Sequence, residues 1–441
     1  MIAPPDQIQT YLSVKYPRLS KNKHQEITRL LYEIAKREHL HYTEILNEFT
    51  KPTPRFIDIK DYLVKRRFPN ATKNQKQVSP LLPSLTIDPQ LKVNTSRPPS
   101  RHPQKFYVEE NVLSSELVER VRDLYPRVPM ETITAYRNHT KAQSFGIKDY
   151  NQRLNAYYLI QEKYDFYKRC PCSNNSIFCG YHIVNLGSGC AYECAYCVLQ
   201  DYINSPGIVL PANLEDFFNA FQNYQQNIRV GSGEWTDSLL FDHVTGYSPR
   251  IVEFFRKHPK SQFEFKTKSA NIDLLLTVAG ADNVVISWSM NPSKVTETIE
   301  HFTASTHQRL IAAQRCAEHG YRVAFHFDPI IHYQGWKNDY EELVNLTFDL
   351  VPEEQIAWMS IGTLRLTPRL KKIIENRFPE TSILDEEMLP GHDGKLRYSN
   401  EARNQIYQNM TQWIRKRSQT VKFYLCMEDK EMCQTHWFDK R

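Results

Sequence analysis

His182-Ile183-Val184-Asn185-Leu186-Gly187-Ser188-Gly189-Cys190-Ala191-Tyr192-Glu193-Cys194-Ala195-Tyr196-Cys197 is the stretch on which the reading of this chain turns. Residues 182–186 carry the β-branched, apolar character of a strand, and the Gly-Ser-Gly that follows breaks it. The cysteines then come as C-x3-C-x2-C. Three thiolates on one short loop can hold three irons of a cubic iron–sulfur cluster and leave the fourth iron open. A structural zinc site normally takes four protein ligands, so three cysteines alone do not close one. An open iron can chelate a small molecule and pass an electron into it. Two other readings stay open: a zinc knuckle completed by a distant cysteine, and a chance group of buried thiols.

Outward from this loop, strand-like and helix-like segments alternate. Residues 182–186, 228–231, 263–267, 284–289, 322–327 and 357–364 read as strands. Residues 214–225, 249–258, 272–279, 308–319 and 340–350 read as helices. Regular β-then-α order predicts a parallel sheet covered by helices, and six units suit an open, partial barrel. The fold class is therefore α/β, a partial (β/α)6 barrel with a small basic N-terminal helical module. In such folds the chemistry sits in the loops after the strands, where the cysteine triplet falls.

The 441 residues, 41% hydrophobic and 24% charged, fit a globular protein of more than one domain. No apolar run approaches the roughly 20 residues of a membrane span, and the N-terminus lacks the pattern of a signal peptide. A cytoplasmic location without membrane contact is expected. Nine cysteines, six of them between Cys170 and Cys197, read as metal ligation in a reducing compartment rather than as a disulfide framework.

The charge is uneven. The chain has 56 basic and 50 acidic residues, net +6. Residues 1–102 hold 18 and 9, net +9, so the remainder holds 38 and 41, net −3. A basic segment attracts polyanions, and nucleic acid is the natural partner; a solvated lysine-rich surface is the plainer alternative. The expected organisation is a basic helical module over 1–79, a proline-rich linker over 80–104, an extension over 105–180, the barrel over 181–425 and a tail over 426–441.

Beyond the triplet, Tyr196-Cys197-Val198-Leu199-Gln200, Thr236-Asp237, Asp242-His243, Thr267-Lys268, Ser289-x-Asn291, Glu300-x-x-Thr303, Arg309-Leu310, Gly320-Tyr321, Pro329-Ile330, Gly335-Trp336 and Tyr340 occur in order. With these residues the chain resembles the radical S-adenosylmethionine (SAM) superfamily, and within it the spore photoproduct lyase family, from about 103 to about 425. The resemblance implies a 4Fe–4S cluster on Cys190, Cys194 and Cys197, with SAM on the open iron. It implies reductive cleavage of SAM to a 5′-deoxyadenosyl radical that abstracts hydrogen from a substrate, in this family a thymine lesion in DNA. A carbon–carbon lyase that repairs DNA, served by an electron donor such as a ferredoxin or flavodoxin, is thus expected.

Further residues fall at strand ends. Glu234 follows Gly231-Ser232-Gly233, where glycines let a ligand approach the backbone and a carboxylate can receive an ammonium; it is similar to the segment that holds the methionine amine in many radical SAM enzymes. Lys266 and Lys268 share one strand face, and the family match gives Lys268 the SAM carboxylate. Ser289 and Asn291 suit ribose or carboxylate contacts. His326 and Asp328, also two apart, are candidates for substrate recognition, or else a mutually satisfied structural pair.

Two departures matter. The family's hydrogen-returning cysteine is matched by Glu234, and a carboxylate cannot return a hydrogen atom because its O–H bond is far stronger than a thiol S–H. The second tyrosine of the cluster loop is replaced by Val198, while Tyr196 remains as a candidate. A radical SAM enzyme on another substrate, or a non-catalytic nucleic-acid-binding iron–sulfur protein, are the alternatives. Finally, Cys170, Cys172 and Cys179 precede the first strand, and Cys426 and Cys433 lie near the C-terminus. If the tail folds back, a mixed set of four could take zinc or a second cluster; otherwise these are buried free thiols. Cys316 reads as packing.

Overall fold

A computed structural model describes residues 3–51, 54–72, 85–141, 144–163, 166–172, 176–202, 205–224, 227–391 and 393–436. The end of the expected N-terminal module (73–79), the start of the expected linker (80–84) and Gln225 of the expected 214–225 helix lie outside these residues. Contacts divide the chain into two units, Met1–Lys92 with Thr363–Gln405, and Val93–Gly362 with Ile406–Arg441. Sequence reading ran the barrel through to 425; residues 363–405 instead group with the N-terminal helices.

In the first unit, α1 (Pro5–Lys15), α2 (Lys21–Glu38), α3 (Tyr42–Asn47) and α4 (Phe56–Arg67) pack around Ile27, Leu30, Leu31 and Ile34 of α2, all fully buried. α1 had no sequence signal beyond Ile8 and Leu12. Leu389 joins the same core. Many of the basic residues are engaged internally. Glu33 receives Lys371 and Arg67, each at 2.8 Å, and Arg29 reaches Glu375 at 2.6 Å. Arg66 pairs with Glu38 and Glu48, and Lys60 with Glu26. Lys15, Arg18, Lys21 and Lys23, around the α1–α2 turn, stay exposed.

The second unit has two sheets. β1 (Lys105–Glu109), β2 (Met130–Ile133), β3 (Ala156–Ile160) and β7 (Ile208–Pro211) form a parallel sheet in the order β2-β1-β3-β7. Nothing in the sequence reading anticipated it. The barrel sheet runs β17-β13-β12-β10-β9-β8-β5-β4. Its members are β4 (Tyr167–Arg169), β5 (Tyr181–Val184), β8 (Arg229–Ser232), β9 (Gln262–Thr267), β10 (Val284–Ser289), β12 (Arg322–Ile330), β13 (Ile356–Thr363) and β17 (Phe423–Leu425). The six expected strands are all present within a few residues of their expected ends. β10 is buried throughout, as a strand covered on both faces must be. β4 adds antiparallel to β5 at one edge, and β17 adds parallel to β13 at the other.

One expected helix is absent. Over 272–279 only a single 3-10 turn forms, at Leu275–Thr277. The Tyr321 hydroxyl donates to the Leu275 and Val278 carbonyls at 2.9 and 3.0 Å, so a tertiary partner takes groups that a helix would have used.

Candidate metal centre and cofactor site

The cysteine loop leaves β5 and is pinned on three sides. Ser188 exchanges two 2.8 Å backbone hydrogen bonds with Val209 of β7. Gly189 follows with φ +101, and a Cβ there would meet the Ile208 side chain at 2.7 Å, so only glycine makes this turn. Arg153, buried ahead of β3, donates to the carbonyls of Cys190 (2.7 Å), Tyr192 (2.8 Å) and Tyr150 (3.0 Å) and to Glu193 (2.8 Å). From the other end of the loop, Gln200 donates to the carbonyls of Ala195 (2.9 Å), Cys197 (3.0 Å) and Cys194 (3.3 Å). A loop with many free backbone groups is thereby fixed by two side chains. Sequence reading missed Arg153 altogether. Its signal was no more than an arginine in a segment with no recognised motif.

The third side is a buried ionic knot. β6 (Glu193–Cys194) pairs antiparallel with β11 (Glu300–His301), Cys194 opposite Glu300. Glu300 is fully buried; it accepts from Arg309 (2.6 Å), Asn291 (2.8 Å) and the Tyr196 hydroxyl. Burial alone would raise its carboxyl, but Arg309 and Lys268, with those hydrogen bonds, hold it at about 2. Lys268 lies beside it, its Nζ 5.6 Å from the Tyr196 ring centroid. Burial opposes the Lys268 charge, yet Glu300 and then Cys194 raise its pKa above the ordinary value. Asp237 closes the frame by accepting from Thr267 Oγ1 and the Lys268 amide, both at 2.6 Å.

Cys190 and Cys194 are buried and Cys197 is half-buried, and none is in a disulfide. Burial, then the Asp237 carboxylate, pushes the Cys190 thiol up to about 12; burial likewise raises Cys194 and Cys197. Metal must therefore displace protons here, and the buried Arg153 and the half-buried Lys268 favour the thiolates that result. Among the described residues no three Cys, His, Asp or Glu side chains converge on a single ion-sized point. Cysteines that grip separate irons of one cube have no need to. Three soft donors on a rigid loop with two cations beside it fit an iron–sulfur cluster.

The other expected site residues separate into two groups. Tyr196 is part of the loop, and Lys268 lies against it, its Nζ over the Tyr196 ring. Glu234 stands at the end of β8 with Lys168 Nζ 3.0 Å away. Asn291 is engaged within the protein: its amide nitrogen donates to Glu300 at 2.8 Å, and its oxygen accepts from Tyr340 at 2.6 Å. Ser289 is buried, and its carbonyl accepts from Arg309 at 2.7 Å. His326 also differs from expectation. Its Nε2 is 2.6 Å from Glu264 and its Nδ1 2.5 Å from Ser360, so it is a satisfied interior histidine whose partners are not Asp328. Glu264 can only accept, which assigns the proton to Nε2. Burial, then Lys266, lowers the His326 pKa to about 4. Asp328 packs against Gly362, where a Cβ would meet its Oδ1 at 2.7 Å.

Residues 102–425 match the family described as spore photoproduct lyase. The chain belongs to the spore photoproduct lyase family. The spore photoproduct lyase of Clostridium acetobutylicum is 30% identical over 218 residues, 48% of this chain and 65% of that protein. One from a Geobacillus strain is 29% identical over 225 residues, 46% and 63% of the two chains. The match therefore spans slightly less than two thirds of these two relatives. That of Bacillus subtilis is 24% identical over 299 residues, 65% and 85%. Two solved spore photoproduct lyase structures, a cysteine-to-serine mutant and one with bound AdoMet and dinucleoside spore photoproduct, align with TM-score 0.63. Identities are 23% and 22%; coverage is 75% and 76% of this chain and 100% of each of theirs. They show that the fold is shared. The family match leaves out residues 1–101, so the N-terminal helices rest on this chain's own structure. No helix among the described residues is long and apolar enough to cross a membrane.

Proposed function

We propose that this chain is a radical SAM enzyme that acts on a nucleic-acid lesion of the thymine-dimer type. The observation that carries the reading is the loop of three thiols after β5, clamped by Arg153 and Gln200 and flanked by Lys268 and the buried Glu300. Cys190, Cys194 and Cys197 would hold a 4Fe–4S cluster, which when bound with SAM supplies reductive cleavage to a 5′-deoxyadenosyl radical. Lys268 would offer its ammonium to the SAM carboxylate. Glu234, at the glycine-rich strand end, would receive the amine in exchange for Lys168. Tyr196 and Glu300 hold the loop and keep Lys268 charged. That a family relative binds AdoMet and a dinucleoside photoproduct supports the same pair of ligands here.

A specific observation supports a second reading, radical chemistry on a different substrate. Glu234, not a thiol, stands where the family returns hydrogen, and Val198, 45% exposed, stands in place of the second loop tyrosine. Anaerobically reconstituted protein is expected to form 5′-deoxyadenosine from SAM only with reductant; if none forms, both readings fail. With UV-irradiated DNA, loss of the thymine lesion and recovery of thymine support the first, and an unchanged lesion leaves the second.

A further inference from the structure

The barrel sheet is open, and its two edge strands are β4 and β17. Open edges leave backbone donors and acceptors without strand partners and are normally covered. Here the chain beyond each edge meets the other: Ser176, after β4, bridges to Asp429, after β17. Four cysteines mark this seam. Cys170 directly follows β4, and its amide donates to Tyr181 O at 3.0 Å; the Cys172 amide donates to Cys170 O at 2.8 Å. Cys426 directly follows β17 and donates to Ile361 O at 2.8 Å. Cys179 and Cys426 pack on the same group, Val285, Ala324, Trp358 and Tyr424.

These four differ from the other cysteines outside the loop. Cys316 and Cys433 are buried, as free cysteines usually are. Cys170, Cys172, Cys179 and Cys426 are all half-buried and none is in a disulfide. The Cys170 and Cys172 thiols are hydrogen-bonded to each other, and the sulfurs of Cys426 and Cys179 lie near enough to act on Cys170. Next to them a buried cation waits: the Arg229 guanidinium stacks on Tyr181, Trp358 and Tyr424, and Cys179 is among the groups that act on it. Glu264, a carboxylate 3.3 Å from it, is shared with His326.

We propose that Cys170, Cys172, Cys179 and Cys426 form a structural tetrathiolate zinc site that fastens the two open edges of the barrel together. Zinc–sulfur bonds of about 2.3 Å in a tetrahedron place sulfurs about 3.8 Å apart. Two thiols in hydrogen-bonding contact already have that spacing, whereas cysteines on a cubic cluster stand much farther apart because each holds its own iron. Among the described residues the four side chains do not converge on one point, so zinc binding would require them to reorient. On binding one Zn²⁺ the four thiols lose four protons to solvent, and the resulting tetrathiolate carries two negative charges beside Arg229. The site is independent of the cluster loop and does not rest on the radical reading.

The test is the zinc and iron content of the full chain, purified without air, with zinc in the growth medium. One zinc per chain is expected in wild type and in Cys433→Ser. In Cys170→Ser/Cys172→Ser and in Cys426→Ser zinc should fall at least tenfold while cluster iron is unchanged. Zinc absent from wild type, zinc kept by both variants, or iron lost from them in its place overturns the proposal. Should the variants fail to fold, mercurial titration of wild type decides. Release of one zinc as four thiols react supports the site, and thiol reaction without zinc release refutes it.

Discussion

Replacing Glu300 by Gln tests whether the buried ionic knot holds the cysteine loop. The substitution keeps size and shape and removes one charge from a pair whose side chains are both fully buried, 2.6 Å apart. Removing one member of such a pair typically costs about 3–5 kcal/mol, since the partner charge stays buried. Arg309 keeps its bonds to the Ser289 and Ala304 carbonyls and to Thr303, at 2.7, 2.9 and 2.6 Å. The lower end, about 3 kcal/mol, is therefore expected. The loss falls on the β6–β11 pairing, where Cys194 faces Glu300 and the Ala195 amide donates to Ile299 O at 2.8 Å. Native-state hydrogen exchange of peptides spanning 190–202 reads this local opening without requiring the two units to unfold together. At about 1.4 kcal/mol per tenfold, exchange should quicken about a hundredfold. Adding Arg309→Met should restore much of the protection, because the orphaned charge goes with it. Exchange within about fivefold of wild type in Glu300→Gln would refute the idea that this carboxylate anchors the loop.

Two more outcomes are expected. His326, neutral in the fold with a pKa of about 4, regains an ordinary value near 6.5 on unfolding. Its contribution to stability is complete above pH 6.5 and is lost as pH falls from 6.5 toward 4, because the unfolded chain takes up a proton that the folded one refuses, worth up to about 1.4 kcal/mol per pH unit. The denaturation midpoint of His326→Gln should thus vary less steeply than wild type over that window; identical slopes would show that His326 is not the refusing group. For the basic surface, changing the exposed Lys15, Arg18, Lys21 and Lys23 together to Gln should flatten the salt dependence of DNA binding by about 0.9 per lost phosphate contact. An unchanged slope would discard the α1–α2 turn as the anchor. Substitution is the better design than deletion of residues 1–92, since that would strip Leu389 of its core partners.

Much of the barrel was legible because its strands are short apolar runs at regular spacing and its chemistry-bearing cysteines are adjacent in sequence. The C-x3-C-x2-C spacing names a donor set without any fold, whereas Lys268, expected on one strand face with Lys266, lies past the end of β9. What stayed hidden depends on residues far apart in the chain. Residues 105–180 carry three strands of a sheet whose fourth, β7, lies beyond the cysteine loop, and that order shows no local pattern. Arg153 and Gln200 matter only because folding carries them to carbonyls of the same loop. His326 had the right residue type for a site and the wrong surroundings: Glu264 and Ser360, 62 and 34 residues away, use both its nitrogens.

The sequence by itself determined the donor atoms, the alternation that builds a partial barrel and the excess of positive charge near the N-terminus, since each is set by residue type and short-range spacing. Only the tertiary structure decided which polar groups remain available. It engaged Asn291 and His326 in hydrogen-bond networks, set Lys268 near Glu300 and Cys194, and joined the chain beyond the two barrel edges at Ser176 and Asp429. The physical reason is that a buried polar group must find its partner wherever the chain supplies one, and that partner is a property of three-dimensional neighbourhood, not of sequence distance.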